Sequence, residues 1–552
     1  MKNIFTAVFL LVFACISFAQ TINEKKILDI KTAQPYFIYD LKYDTPGGSY
    51  TYVNYDTAKQ KSKIISNKGN SGLYDYISSL DVVFDKAGNY YAIAYNSLGE
   101  ISGVFKYKYF LLKNGQEIRT FDNVVFPMSE KNNALYFIGN EDGKDFRVKY
   151  DFQSGNLDYG QKYDTIYLSY ITKEMIHYEG EPQHEIGFTK NGEDYYAASN
   201  NGKHFLVVGN KELKHVDEIL YHEAYEDNAG NITYIAKEIK GNDDVYYVIQ
   251  GDKEYKKFMY AGGPLMFDRD NIPVYTVSDI NEDYPSEQYL AKGNDAYSKK
   301  YGRSVWMLDK SPGGGIVYTG SDTLADGSYV TELVIDEKSA GTYSSIWGVV
   351  YKPDGTPVFI AEGPENTQQV ISGNTVVSKN YSSIMNVNAT KSGKIYFTGI
   401  KWGDYEKNEP NRTYYVFDGK EYGPFDNMMF SEIMPDLIVI NDKDEHAYIA
   451  TKMMQDKMKN QITKNYVIGK GWKSMICDYI SDLTAYKNDF YYIAVNYASE
   501  ETDEGMSQVY KNGEKIGDEY SVIMNFKIDN DKKKLTFTGS RGNAAYHCEI
   551  EL

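Results

Sequence analysis

A short turn-and-strand signature recurs along almost the whole chain at a mean interval of about 45 residues, within the range of four-stranded blade repeats. Each copy has a turn rich in Gly, Asn, Asp and Lys, then an aromatic residue, then Ile, Thr or Ala, then a small residue. Copies read AGNYYAIA around Tyr91, NNALYFIG at Phe137, GEDYYAA at Tyr196, AGNITYIA at Tyr234, DNIPVYTV at Tyr275 and GGGIVYTG at Tyr318. They continue as DGTPVFIA at Phe359, SGKIYFTG at Phe397, DEHAYIA at Tyr448, NDFYYIA at Tyr492 and KKKLTFTG at Phe537, and a degenerate GGSYTYVNY at Tyr52 brings the set to twelve.

Two further elements keep phase with the signature. One is a hairpin run such as FLLKNGQEIRTFDN (Phe110 to Asn123) or VYKNGEKIGDEY (Val509 to Tyr520), where Asn-Gly supplies the positive φ that a two-residue turn demands. The other is an apolar strand just before the signature, such as VWMLD (Val305 to Asp309) or WGVVY (Trp347 to Tyr351). Each unit therefore predicts four strands, and no stretch shows a sustained helical period. The expected fold is all-β, a β-propeller of about twelve blades. Twelve exceeds an ordinary ring, so two propellers are expected, over residues 20–290 and 291–552, divided six plus six or five plus seven. The last copy stops after its third strand, AAYHCEIEL, so the N-terminal run, residues 22–30, is expected to complete the last blade. Such closure removes an exposed strand edge. The longer intervals before Tyr196 and Tyr448 predict insertions or displaced boundaries.

The signature as it stands in KPDGTPVFIA (Lys352 to Ala361), DKAGNYYAIA (Asp85 to Ala94) and KSGKIYFTG (Lys391 to Gly399) resembles the periplasmic TolB-type branch of the WD40-like propellers. Only the Lys352 copy carries that family's Pro-Asp-Gly in full. The resemblance implies the fold and a rigid platform for protein partners; fold alone does not carry function.

The first nineteen residues have a charged Lys2, an apolar run from Ile4 to Phe18, and Ser17 and Ala19 at the −3 and −1 positions of a cut before Gln20, the pattern of a secretory signal peptide. A lipoprotein cysteine at Cys15 fits less well, because Phe13 and the apolar tail beyond it break that pattern. No later segment is apolar for long enough to span a membrane. The formal charge of −18 repels nucleic-acid backbones, so no nucleic-acid partner is expected. Export leaves Cys477 and Cys548, for which a bridge and two buried thiols are both open readings.

Chemistry is sparse. His177, His184, His204, His215 and His222 crowd one stretch, but none stands at zinc-motif spacing, so no metal site is expected there. The oxygen-rich turns (Asp442, Asp444, Glu445; Glu141, Asp142, Asp145; Glu500, Glu501, Asp503, Glu504; Asp268, Asp270) do not complete a calcium loop and read as solvated charge. The 54 Tyr read as strand formers packed between blades, and three of the four Trp (Trp306, Trp347, Trp402, Trp472) are expected to pack as well. There is no G-x-S-x-G elbow and no Asp-box motif. No catalytic, cofactor or metal residue is assigned. The expectation is an exported, non-catalytic scaffold in the periplasm or at the cell surface, with a protein as partner. The alternative is a glycan-active propeller, a lyase or hydrolase, or a glycan-binding surface protein.

Overall fold

A computed structural model describes residues 22–552 except 30–40, 45–47, 79–80, 102, 168–169, 172–185, 221–222, 242, 281–286, 405–408, 426–437, 456–460, 500–501 and 543. Twelve sheets follow one another along the chain, here called blades 1 to 12, all antiparallel except for a short parallel pairing of Tyr170 and Ile171 with Glu223 and Ala224 in blade 5. The signature always forms a blade's second strand, as in Ile316–Thr323 of blade 7, Pro357–Glu362 of blade 8 and Lys534–Arg541 of blade 12. It pairs on one side with the apolar strand that precedes it and on the other with the first arm of the hairpin run. The chain is a β-propeller. The segment expected to be a signal peptide and Cys15 lie outside the described residues, as do residues 172–185 and 426–437, within the longer intervals before Tyr196 and Tyr448.

Blade 12 holds the strands Val522–Asp529, Lys534–Arg541 and Ala544–Glu551. Its fourth strand is the N-terminal Ile22–Asp29, antiparallel to the third from Ile22 opposite Ile550 to Asp29 opposite Ala544. Two ends of the chain thus share one sheet, without a disulfide. Cys477 and Cys548 are free, buried in blades 10 and 12.

The core is a series of apolar clusters, one between each pair of successive blades. Blades 6 and 7 share Met266, Val274, Leu290 and Tyr301 with Val305, Met307, Ile316 and Tyr318, a contact that crosses the 290/291 boundary. Leu41 of the segment entering blade 1 packs on Ala545 of blade 12, with Leu28, Tyr50 and Val522 around them. Among the described residues no apolar cluster joins blade 6 to blade 1 or blade 12 to blade 7. Most of these clusters bury aromatic side chains, such as Tyr415, Phe417 and Tyr448 between blades 9 and 10, at about 1.5–3 kcal/mol apiece.

The small residue of the signature has a packing reason. A Cβ on Gly320 would stand 2.1 Å from the ring of Tyr301, on Gly399 2.4 Å from Tyr381, and on Gly539 2.4 Å from Tyr520. In each case the aromatic residue ends the outer strand of the preceding blade and lies over the glycine of the next. The hydroxyl then donates to a glutamate of that next blade: Tyr301 to Glu332 at 3.0 Å, Tyr163 to Glu212 at 3.1 Å and Tyr74 to Glu117 at 2.9 Å. Tyr381 bonds Glu421 in the same way, and Tyr520 bonds Glu24 of the N-terminal strand. The closing strand is therefore held by the same lock that joins ordinary neighbours.

Candidate functional site

Antiparallel order divides the surface into two faces. The turns between first and second strands, and between third and fourth, lie on one face. The hairpins between second and third strands, and the crossings to the next blade, lie on the other, called here the hairpin face.

On the turn face, buried aspartates clasp several of the turns. In blade 5 the Asp227 carboxylate accepts from the amides of Ala229 and Asn231 at 2.8 Å each, from Asn231 Nδ2 at 2.9 Å and from Gln250 Nε2 at 2.7 Å. Burial pushes its pKa up, but these donors outweigh burial and hold the carboxyl below its usual range. Asp85 in blade 2 and Asp268 in blade 6 clasp their turns alike. Between blades 5 and 6 the turns enclose a cleft of about 570 Å³ lined by Asp227, Gln250, Asp252, Tyr255, Asp270 and Asn271. A carboxylate saturated with fixed donors sets a turn and is not poised as a base.

Among the described residues, the groups singled out in the sequence are taken up by separate local partners. His215 stacks on Phe205 at 4.1 Å and pairs with Glu212 at 2.9 Å, while His204 Nδ1 meets the Tyr167 hydroxyl at 2.7 Å. His177, His184 and His222 lie outside the described residues. Glu141 pairs with Arg119 and Lys162, Asp442 with Lys391, and Glu445 with Lys470. Asp145 accepts from Asn140 Nδ2 and the Ile166 amide. The side chains of Glu500, Glu501, Asp503 and Glu504 are outside the described residues. Among the described residues no three His, Cys, Asp or Glu side chains gather as a metal would need.

The hairpin face is different. Trp306 and Trp347 stand on the innermost strands of blades 7 and 8, and Trp402 follows the second strand of blade 9; they are 48%, 40% and 65% exposed. The expectation that three of the four tryptophans pack is therefore corrected. Trp472 is the one that is not exposed, stacked parallel to Tyr492 with 6.4 Å between centroids. The registers explain the exposure. Trp306 lies opposite Thr319, one residue beyond the anchor Tyr318, and Trp347 opposite Ile360, one beyond the anchor Phe359. The two tryptophans thus hold the same place in adjacent blades, near the entry of an innermost strand, where the sheet edge faces the axis rather than a neighbouring blade. In blade 9 Met385 holds that place, opposite Thr398. Exposed Leu324, Tyr329, Met453, Met454 and Tyr497 crown the hairpins of blades 7, 10 and 11 on the same face. Sequence spacing could have aligned Trp306 with Trp347, but nothing in it showed that the position opens to solvent. A second notch, of 280 Å³, lies where blades 12, 1 and 2 meet, between Tyr43, Phe84, Lys527 and His547.

No family model matches the chain, and no curated protein matches it. Among solved structures it is similar to a eukaryotic initiation factor at 8% identity, over 71% of this chain and 97% of that one, with a TM-score of 0.31. The β-propeller domain of the Trilobed protease from Pyrococcus furiosus is matched at 10% identity over 64% and 96%, with a TM-score of 0.23. TolB from Acinetobacter baumannii is matched at 13% identity over 60% and 76%, with a TM-score of 0.17. Likenesses of this size say nothing about activity, and the fold rests on the strand order described above.

Proposed function

We propose that the chain is an exported, non-catalytic propeller that serves as a binding platform for a protein partner, in the periplasm or at the cell surface, and that it binds through the hairpin face of blades 7 to 9. The observation that carries the reading is the group of Trp306, Trp347 and Trp402, three of only four tryptophans in the chain, exposed on one face of three successive blades. Exposed tryptophan is rare on a surface without a partner and is the residue most enriched where binding energy concentrates. The N-terminal sequence supports export, and the spent carboxylates of the turn face support a scaffold rather than an enzyme.

The test is a crosslinking pull-down of the tagged chain, cut before Gln20, from its native cell envelope, run beside W306A/W347A/W402A. The expected result is one stoichiometric protein partner that is lost in the triple variant. Polysaccharide co-purifying without a protein partner would overturn the reading in favour of a glycan-binding propeller.

A further inference from the structure

The hairpin of blade 2 is longer than its neighbours. Its arms, Tyr90–Ile101 and Val104–Lys113, stay paired from Tyr91 opposite Lys113 to Ile101 opposite Val104. The outer strand of the blade, Gln116–Phe121, stops short: its last pair is Phe121 with Tyr109. Residues 96–101 and 104–108 therefore extend beyond the sheet as a two-stranded ribbon, by about 16 Å at 3.3 Å per residue. Leu98, Ile101, Val104 and Phe105 on this ribbon are all at least half exposed.

The two edges of the ribbon are unlike. Along the inner arm the register shifts between Ser97 and Gly99, and Gly99 takes φ +83°, so this edge is bulged. A bulge twists an edge away from further pairing. Along the outer arm, residues 104–108 are regular, and among the described residues no strand lies beside them. In an antiparallel ladder every second residue of such an arm turns its N–H and C=O outward. That row continues the line of the outer strand, so an added strand would complete the blade.

Side chains alternate along the open edge. Phe105 and Tyr107 share the face of Tyr95 and Tyr109, with Tyr95 5.1 Å from Tyr107 and 5.2 Å from Tyr109 between ring centroids. Val104, Lys106 and Lys108 occupy the other face, where Lys108 lies 3.8 Å from the carboxylate of Asp122, just after the outer strand of its own blade. The register that pairs all five residues antiparallel with a second copy sets Lys106 opposite Lys106, and like charges directly opposed destabilise a ladder. A strand carrying a carboxylate opposite Lys106, flanked by further acidic residues on that face, and apolar groups opposite Phe105 and Tyr107 satisfies both faces.

We propose that residues 104–108 of blade 2 are a second binding site, which takes an extended segment of another protein with alternating acidic and apolar residues as an added β-strand. This site is separate from the tryptophan group and stands or falls without it.

The probe is a fluorescein-labelled synthetic peptide, Thr-Glu-Val-Glu-Val-Glu-Thr, with a twin carrying Lys in place of Glu. Fluorescence anisotropy is expected to show saturable binding of the acidic peptide to the wild-type chain and to W306A/W347A/W402A. K106E/K108E is expected to weaken it about tenfold and to prefer the Lys twin. Hydrogen exchange, with unchanged protection of Ala92 to Ala94 as the control for folding, is expected to show amides of residues 104–108 slowed about tenfold in the complex while 97–101 are unchanged. Absence of saturable binding, equal affinity in K106E/K108E, or binding without protection of residues 104–108 would overturn the proposal.

Discussion

Arg147 is the strongest single test of how the blades are joined. It lies on the third strand of blade 3, Lys144–Asp151, and is only 3% exposed. Its guanidinium bonds Asp158 of the same blade at 2.8 Å, and in blade 4 meets Asp194 at 3.2 Å and Asn210 at 3.1 Å. Replacing it by Met keeps the bulk and leaves Asp194 as a buried carboxylate without its cation. Breaking a buried pair in this way costs about 3–5 kcal/mol. A loss near 4 kcal/mol raises local opening roughly a thousandfold. Twelve blades need not unfold in one step, so the assay is hydrogen exchange on segments 144–151 and 194–208, with urea melts alongside. R147M/D194N removes both charges and is expected to recover at least half of the loss. The sign with pH follows from burial, which already raises the Asp194 pKa against the pull of Arg147. Without Arg147 it rises further. A carboxyl raised in the folded state contributes full stability below its unfolded value, about 4, and loses it as pH rises through the folded value. R147M should therefore lie closer to wild type at pH 5 than at pH 8. A loss below about 1 kcal/mol, or no coupling to Asp194→Asn, would refute the reasoning.

Two further outcomes are expected. Gly320→Ala places a Cβ where the Tyr301 ring lies, so it should destabilise the blade 6–7 contact by about 1–3 kcal/mol, and Y301A should relieve much of the strain in the double variant, as read from urea melts. His446 is enclosed by Tyr415, Phe417 and Tyr422, and burial lowers its pKa to about 4. Its contribution is present above the unfolded value of about 6.5 and is lost as pH falls through the folded value. H446F should melt with a shallower decline than wild type between pH 6.5 and 4.

The repeat was legible because period-two strands and Asn-Gly turns are local properties, and the same twelve copies became the second strands of twelve blades. The closing strand was legible for a related reason: AAYHCEIEL lacked a successor, and residues 22–29 were free to supply one. What spacing could not show is which side of a strand meets a neighbour. The glycine of IVYTG looked like part of a motif, whereas its cause is Tyr301, nineteen residues earlier in another blade. Arg147 was not legible because Asp194, 47 residues further on, becomes its partner only where blades 3 and 4 meet. The exposure of three of the four tryptophans was not legible, since a strand-forming aromatic residue reads the same whether it faces a core or solvent. The blade 2 ribbon escaped notice because Val104 and Phe105 fit the alternation of any buried strand.

The register of the closing ladder also decides how the ring would respond to load. Ile22 and Ile550 face each other at one end of that ladder, so tension applied to the two ends of the strands would peel the pairs apart one after another, from Ile22 toward Asp29. Sequential peeling resists force far less than sliding all pairs together. Once Glu24 leaves Tyr520, the edge of Ala544–Glu551 is bare, and the ring becomes an open chain of blades that can be unwound in order. An opposing pull on any internal hairpin would meet no such seam.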